Sequence, residues 1–349
     1  MAGRVTAVVI AVLLLGSCAG GSSSAAATTK LVGIGAGLRG PSGLTASVAV
    51  KGLTHISALA TDGGGRLWAA TAGYEDHGTD AVYLVPNTGA TPVKVITALH
   101  TPLGLLWVDD ALYVSSHARV DVYTGFDGTA FASRRTIVSL PDGVGEDNGL
   151  ARAPSGRIWL GISAPCDACT PASTWSASVV SFEPDGSDLR VEASGIRAPV
   201  GLAFFPGTSH LYVTMNQRDK LGARTPGDWL AVVRRGQRWG FPACYGQGGA
   251  GCNGVASPTA ILDRHAAASG VAIVTGQLGP TTGTAAVVAE WTKASVLRVQ
   301  LRHDGSRATG KAEPFLTGFK SPEPVLVRPD GTLLVGDWTT GKVYAISKS

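Results

Sequence analysis

Apolar residues fall along this chain in short runs, each closed by Gly, Pro or Asp, and nowhere in the long three-to-four-spaced stripes of helices. That punctuation predicts strands joined by turns. The runs also repeat. Six alike segments recur: Ser57-Ala58-Leu59-Ala60, Leu103-Gly104-Leu105-Leu106, Asn148-Gly149-Leu150-Ala151, Val200-Gly201-Leu202-Ala203, Ser269-Gly270-Val271-Ala272 and Glu323-Pro324-Val325-Leu326. Turn residues follow, such as Asp62-Gly63, Asp109-Asp110, Ser155-Gly156, Pro206-Gly207 and Pro329-Asp330-Gly331, with the fifth repeat the least regular. Second strands then begin at Leu67-Trp68, Leu112-Tyr113, Ile158-Trp159, Leu211-Tyr212, Ala286-Val287 and Leu333-Leu334, in steps of 45, 46, 53, 75 and 47 residues. Most steps match the period of roughly 40–50 residues of propeller blades. The long step implies an insertion between Met215 and Pro258. Third strands are legible too, for example at residues 81–85, 178–182 and 343–346, and a fourth is weaker. The pattern predicts an all-β, six-bladed β-propeller. Residues 31–50 are expected to supply the outer strand that completes the last blade. A pair of β-sandwiches is the competing arrangement.

The first residues are of another kind. Arg4 precedes an apolar run from Val5 to Leu15, then Leu15-Gly16-Ser17-Cys18. The run is about half of the roughly 20 residues that a membrane-spanning helix needs. It has the charged start, short apolar middle and small-residue end of an export signal. Its end resembles the bacterial lipoprotein signal, in which the cysteine is acylated and becomes the mature N-terminus. An ordinary signal with a chance cysteine is the plainer alternative. The expected organisation is a signal over 1–18, a Gly/Ser/Ala/Thr-rich tether over 19–30 and the propeller over 31–349. That places the protein outside the cell, held to the outer face of the membrane by its lipid at Cys18 alone.

Net charge is only +4, with no basic run, which gives no warrant for a nucleic-acid partner. No association motif stands out, so a monomer is expected. Beyond Cys18 there are four cysteines, Cys166, Cys169, Cys244 and Cys252. An even number in an exported chain favours disulfides. Local pairing, Cys166 with Cys169 and Cys244 with Cys252, is the first expectation. Cross-pairing, a zinc site and a redox-active Cys-x-x-Cys remain open.

In propellers the residues just before each innermost strand face the mouth of the central channel, where ligands bind. Aligning the six repeats places Thr54, His100, Gly145, Arg197, Ala266 and Lys320 in one row, and His55, Thr101, Glu146, Ala198, Ala267 and Ser321 in the next. His100, Arg197, Lys320, His55 and Glu146 are therefore expected to ring one mouth. Its cations suit a carboxylate-bearing ligand.

Several segments, in order, resemble the soluble glucose/sorbosone dehydrogenases. They are Asn148-Gly149-Leu150 with Gly156-Arg157-Ile158-Trp159, Pro165-Cys166-Asp167-Ala168-Cys169, and Phe182-Glu183-Pro184-Asp185-Gly186. Gly195-Ile196-Arg197-Ala198-Pro199-Val200-Gly201-Leu202 matches that family's Gly-x-Arg-Asn-Pro-x-Gly-Leu segment. Asn216-Gln217-Arg218-Asp219, Trp239-Gly240-Phe241-Pro242 and Arg328-Pro329-Asp330-Gly331 resemble later ones. The resemblance spans roughly residues 50–349. It implies a six-bladed propeller that oxidises sugars with pyrroloquinoline quinone (PQQ) and Ca2+. It further implies Arg197, Lys320 and Lys293 as cofactor contacts, and the backbone carbonyls of Gln217 and Arg218 as calcium ligands.

The chain departs from the family at telling places. Gly145 stands where the catalytic His belongs, Ala198 replaces an Asn, and Ser321 and Glu323 replace a late pair of arginines. A glycine abstracts no proton, so Glu146 and His100 become the candidate bases. Three functions compete. One is a PQQ sugar dehydrogenase. The second is a non-catalytic propeller that binds a glycan or a protein partner at the cell surface. The third is a metal-dependent lactonase-like hydrolase, which needs several inward oxygen ligands. The row before the aligned glycines offers it only Asn148 and Glu323 among Ser57, Leu103, Val200 and Ser269.

Overall fold

The strand Leu67–Thr71 is buried along its whole length, and so are Ser178–Phe182, Leu211–Met215, Gly227–Val233, Thr284–Glu290 and Leu333–Asp337. Unbroken burial marks a strand covered on both faces, the state of a middle strand between two neighbouring blades. The outer strands differ. Phe131–Ser139 is mostly exposed or partly so, because one flank and much of one face meet solvent. That is why the fourth strand is faint in the sequence. The computed structural model describes residues 30–74, 80–244, 252–305 and 308–349. The signal segment 1–18, with Cys18, and nearly all of the tether lie outside the described residues.

Six antiparallel sheets make six blades, in the order the repeats predict. Blade one spans Ile56 to Leu99, blade two Gly104 to Ser139, blade three Asp147 to Ser194, blade four Pro199 to Arg264 and blade five Ala268 to Thr317. Blade six takes three strands from Pro322 to Lys348, and Leu44–Val50 pairs with Lys342–Lys348 as its fourth. The ring is thus closed by the two ends of the propeller. Only that part of the 31–50 stretch serves blade six. Val32–Gly35 and Leu38–Gly40 form a hairpin on the outer edge of blade five, where Arg39 pairs with Thr317.

The aligned glycines have a steric cause. At Gly270 a Cβ would lie 2.6 Å from both the Glu323 carbonyl oxygen and the Val325 nitrogen. At Gly104, Gly149, Gly201 and Gly270 the innermost strands therefore run backbone against backbone, a separation that leaves no room for a side chain. Hydroxyls clasp the same joints. Ser57 Oγ donates to the Pro102 carbonyl, Ser115 Oγ to that of Asn148 and Thr214 Oγ1 to that of Ser269, each at 2.6 Å. Farther out the blades meet through aromatic cores. Trp68, fully buried, packs against Trp107, Phe126 and Phe131 and donates to Asp62 at 2.9 Å.

Both local disulfides are present, Cys166–Cys169 and Cys244–Cys252. The part of the insertion that leads to Cys244, residues 237–241, does not line the mouth. It runs along the outer strand of blade three, where Trp239 N donates to the Ser194 carbonyl and Phe241 N to that of Gly195. Trp239 stacks on Trp229 with ring centroids 4.6 Å apart. Residues 245–251 of the same loop lie outside the described residues.

Candidate functional site at the channel mouth

The row just before the aligned glycines forms the throat. Leu103, Val200, Ser269 and Glu323 line both the channel and a cavity of about 290 Å³ at its mouth, which Asn148 also lines. The wall of that cavity rises through Tyr74, Glu146, Ser163, Ala198, Asn216, Ala267 and Trp291. Three of these, Glu146, Ala198 and Ala267, come from the second of the two predicted rows. None comes from the first.

Glu323 is the most unusual group here. The residue is 5% exposed. Its Oε1 accepts a 2.7 Å hydrogen bond from the Tyr74 hydroxyl, and its buried Oε2 has no partner among the described residues. Burial pushes the carboxyl up to about 8, although the Tyr74 bond favours the ionised form. At neutral pH it is chiefly the uncharged acid. Burial, and next the nearby Glu323, likewise push the Tyr74 phenol well above its ordinary range. Tyr74 has a left-handed backbone, φ 59°, and turns its hydroxyl inward while the residue stays half exposed. Behind it stands an aromatic group around Trp338. His55 stacks on that ring at 4.0 Å, Trp291 meets it edge-on at 5.6 Å, and its Nε1 donates to the Ala72 carbonyl.

On the opposite side, Asn148 Nδ2 donates to Ser163 Oγ at 2.9 Å and to the Glu146 carbonyl at 3.1 Å. Glu146 is half-buried, and its Oε2 lies 3.6 Å from His117 Nδ1. Asp147 beside it is wholly buried. Burial, and then the charge of Glu146, push its carboxyl well above the usual range.

The glycine in the place of the family histidine is fixed by its surroundings. A Cβ on Gly145 would fall on the Ser163 carbonyl oxygen, 2.5 Å from Ser163 C and 2.8 Å from Ala164 C. No side chain fits there without moving the backbone of the neighbouring strand end.

The predicted cations do not converge on the cavity. Arg197 is held at the rim. Its Nη2 lies 3.1 Å from Asp167 Oδ1, Nε donates to the Asp167 carbonyl and Nη1 to the Asn216 carbonyl. Asp167 sits inside the Cys166–Cys169 loop and also accepts from the backbone of Asp219 and Lys220. Burial works to raise its carboxyl, but those N–H groups and the charges of Arg197 and Arg218 hold it below the usual range. His100, Lys293 and Lys320 are exposed and absent from the cavity lining. His100 and Lys320 belong to the row four residues before the aligned positions, outside the throat row, and Lys293 lies in the turn between Thr284–Glu290 and Ser295–Leu301 of blade five.

Gln217 is buried. Its N–H donates to Asp228 Oδ1 at 2.8 Å, and Asp228 Oδ2 accepts from Ala268 N at 3.0 Å. Burial pushes Asp228 up to about 6. Asp80 makes the same clamp on Gly73 N and Thr101 N, so the motif ties a loop to the entry of the next blade. Arg218 N donates to Gln217 Oε1. Among the described residues no group of three or more His, Cys, Asp or Glu side chains is arranged to hold a metal ion.

The sequence places Glu323 in the throat row, where it reads as a replaced arginine or as one of two oxygen ligands of a hydrolase. Tyr74, Trp291, Asn216 and Ser163 were missed. Tyr74 and Glu323 are 249 positions apart, and no local pattern joins them.

No protein-family model and no curated protein matches the sequence. Solved structures do match. The holo PQQ domain of pyranose dehydrogenase from Coprinopsis cinerea is 16% identical with a TM-score of 0.72, over 89% of this chain and 97% of that one. A Carbohydrate-Active Enzymes Family AA12 structure from Trichoderma reesei is also 16% identical with a TM-score of 0.72, over 93% and 98%. The PQQ-bound aldose sugar dehydrogenase of Streptomyces coelicolor is 18% identical with a TM-score of 0.66, over 88% and 99%. The chain has, from end to end of those enzymes, the six-bladed propeller fold of the PQQ sugar dehydrogenases.

Proposed function

We propose that this protein is a cell-surface binding propeller that takes a small neutral sugar or related polyol in its channel mouth and does not oxidise it with PQQ. The observation that carries the reading is the Tyr74–Glu323 pair. It gives the cavity an uncharged hydrogen-bonding floor, beside the polar side chains of Asn148, Ser163 and Asn216 and the ring of Trp291. Sugars need such a surface, with an aromatic face for the ring and neutral or weakly charged partners for the hydroxyls. The volume, about 290 Å³, lies at the lower end of ligand pockets and suits one or two rings.

The residues present do not fit PQQ. A tricarboxylate needs cations, and Arg197 is already neutralised by Asp167. The described lining of the cavity carries the Glu146 carboxyl and no Lys, Arg or His. The position of the proton-abstracting histidine is closed by the Ser163 backbone. Anchoring through Cys18, on the outer face of the membrane, belongs to the same proposal and is supported by the lipoprotein-like signal.

Titration of the full chain with D-glucose, D-xylose and N-acetyl-D-glucosamine tests the reading. Saturable binding to at least one, weakened tenfold or more by Trp291→Ala, is expected. Binding that Trp291→Ala leaves untouched would place the ligand elsewhere.

A further inference from the structure

Resting on the mouth-binding reading, we propose that Glu323 acts in the throat as an uncharged carboxylic acid, whose Oε2–H donates to a neutral carbonyl, hydroxyl or ether oxygen of the ligand. The geometry assigns the two oxygens different tasks. Oε1 is taken as an acceptor by Tyr74 at 2.7 Å. Oε2 is buried and has no hydrogen-bond partner among the described residues, on a residue that lines both the mouth and the channel beneath it. The flanking throat residues are Leu103, Val200 and Ser269, and among the described residues no cation pairs with the carboxyl. A full negative charge there would be buried against apolar groups with one hydrogen bond. The protonated acid needs none of that compensation and brings one O–H donor.

The titratable neighbours agree. Tyr74 faces Glu323 from blade one, and Asp80 and Glu146 act on the same phenol from farther away. His55 lies against Trp338. The Tyr74 hydrogen bond favours an ionised Glu323, but burial outweighs it. A ligand carboxylate gains nothing in this throat, since Arg197, Lys293 and Lys320 lie outside the lining. The site therefore selects neutral oxygen over anionic oxygen, the reverse of what the row of cations in the sequence suggests.

The test uses the full chain, wild type and Glu323→Gln, with D-glucose, D-xylose, N-acetyl-D-glucosamine and D-glucuronate as probes. Infrared spectra at pH 7 should contain a protonated-acid carbonyl band that Glu323→Gln lacks, and a bound neutral sugar should shift it. Affinity for that sugar should fall about tenfold from pH 7 to pH 9, as the acid ionises through about 8. That pH dependence should vanish in Glu323→Gln, and D-glucuronate should bind at least tenfold more weakly than D-glucose. A missing band, or sugar affinity equal at both pH values in the wild type, would overturn this inference and leave the mouth-binding reading standing. A Glu323 band that none of the neutral sugars shifts would overturn both.

Discussion

Replacing Glu323 by Gln removes a proton-binding group and keeps its size and the acceptor that Tyr74 uses. Unfolded, the carboxyl titrates near its ordinary 4.5; folded, near 8. Between those values the folded protein holds a proton that the unfolded chain has released. Stability from this group is therefore complete below pH 4.5 and falls as pH rises, until the folded carboxyl has ionised. Each pH unit in the window is worth about 1.4 kcal/mol, so the wild type should lose roughly 3–5 kcal/mol through Glu323 between pH 5 and pH 9. For a propeller of this length, with unfolding entropy of about 2 cal/mol/K per residue, that is roughly 5–8 °C in melting temperature. Asp228 and Glu290, pushed by burial to about 6 and about 7, add to the wild-type slope but are the same in both proteins, so the difference isolates Glu323. Thermal unfolding of both proteins from pH 5 to pH 9 makes the comparison. The curves should meet near pH 5, separate in favour of Glu323→Gln as pH rises from there, and run parallel again above about pH 8. Curves parallel throughout would mean that Glu323 ionises normally, and would refute the claim of an uncharged throat.

Other substitutions probe the frame. Gly145→Ala should cost about 1–3 kcal/mol by urea unfolding, because its methyl group meets the Ser163 backbone, and Gly145→His should cost more and confer no dehydrogenase activity. Asp147→Asn should raise stability at pH 8, since burial and the charge of Glu146 no longer oppose an ionised carboxyl there; a loss would mean that the carboxylate is held by a partner. Removing the Cys244–Cys252 bridge by double Ser substitution should lower stability by about 2–3 kcal/mol in non-reducing buffer, with no change in sugar affinity, because Trp239 and Phe241, which lead to Cys244, pack on blade three and do not line the mouth cavity.

The fold was legible because its causes are local and repeated. Glycine recurs where one backbone runs against the next, as at Gly270, and fully apolar strands recur where two blades cover them, as at Leu67–Thr71. Ring closure was legible in outline, while the hairpin on blade five was not, since nothing in Val32 to Gly40 says which blade edge it meets. The site was harder to read for the opposite reason. Arg197 reads as an available cation until Asp167, 30 positions earlier, is seen against it. Gly145 reads as a missing base, and only the Ser163 carbonyl shows that the space itself is closed. Tyr74 and Glu323 acquire their meaning together, from blades one and six, which adjoin only once the ring has closed.

The most direct test of the account is a side-by-side calorimetric titration of the full chain at pH 7 with the three neutral sugars and with PQQ plus Ca2+. The account predicts saturable binding of at least one sugar and no binding of the quinone at concentrations well above micromolar. Tight uptake of PQQ, lost in Arg197→Ala, would show that Arg197 leaves Asp167 to hold the cofactor, and would contradict the account at its centre.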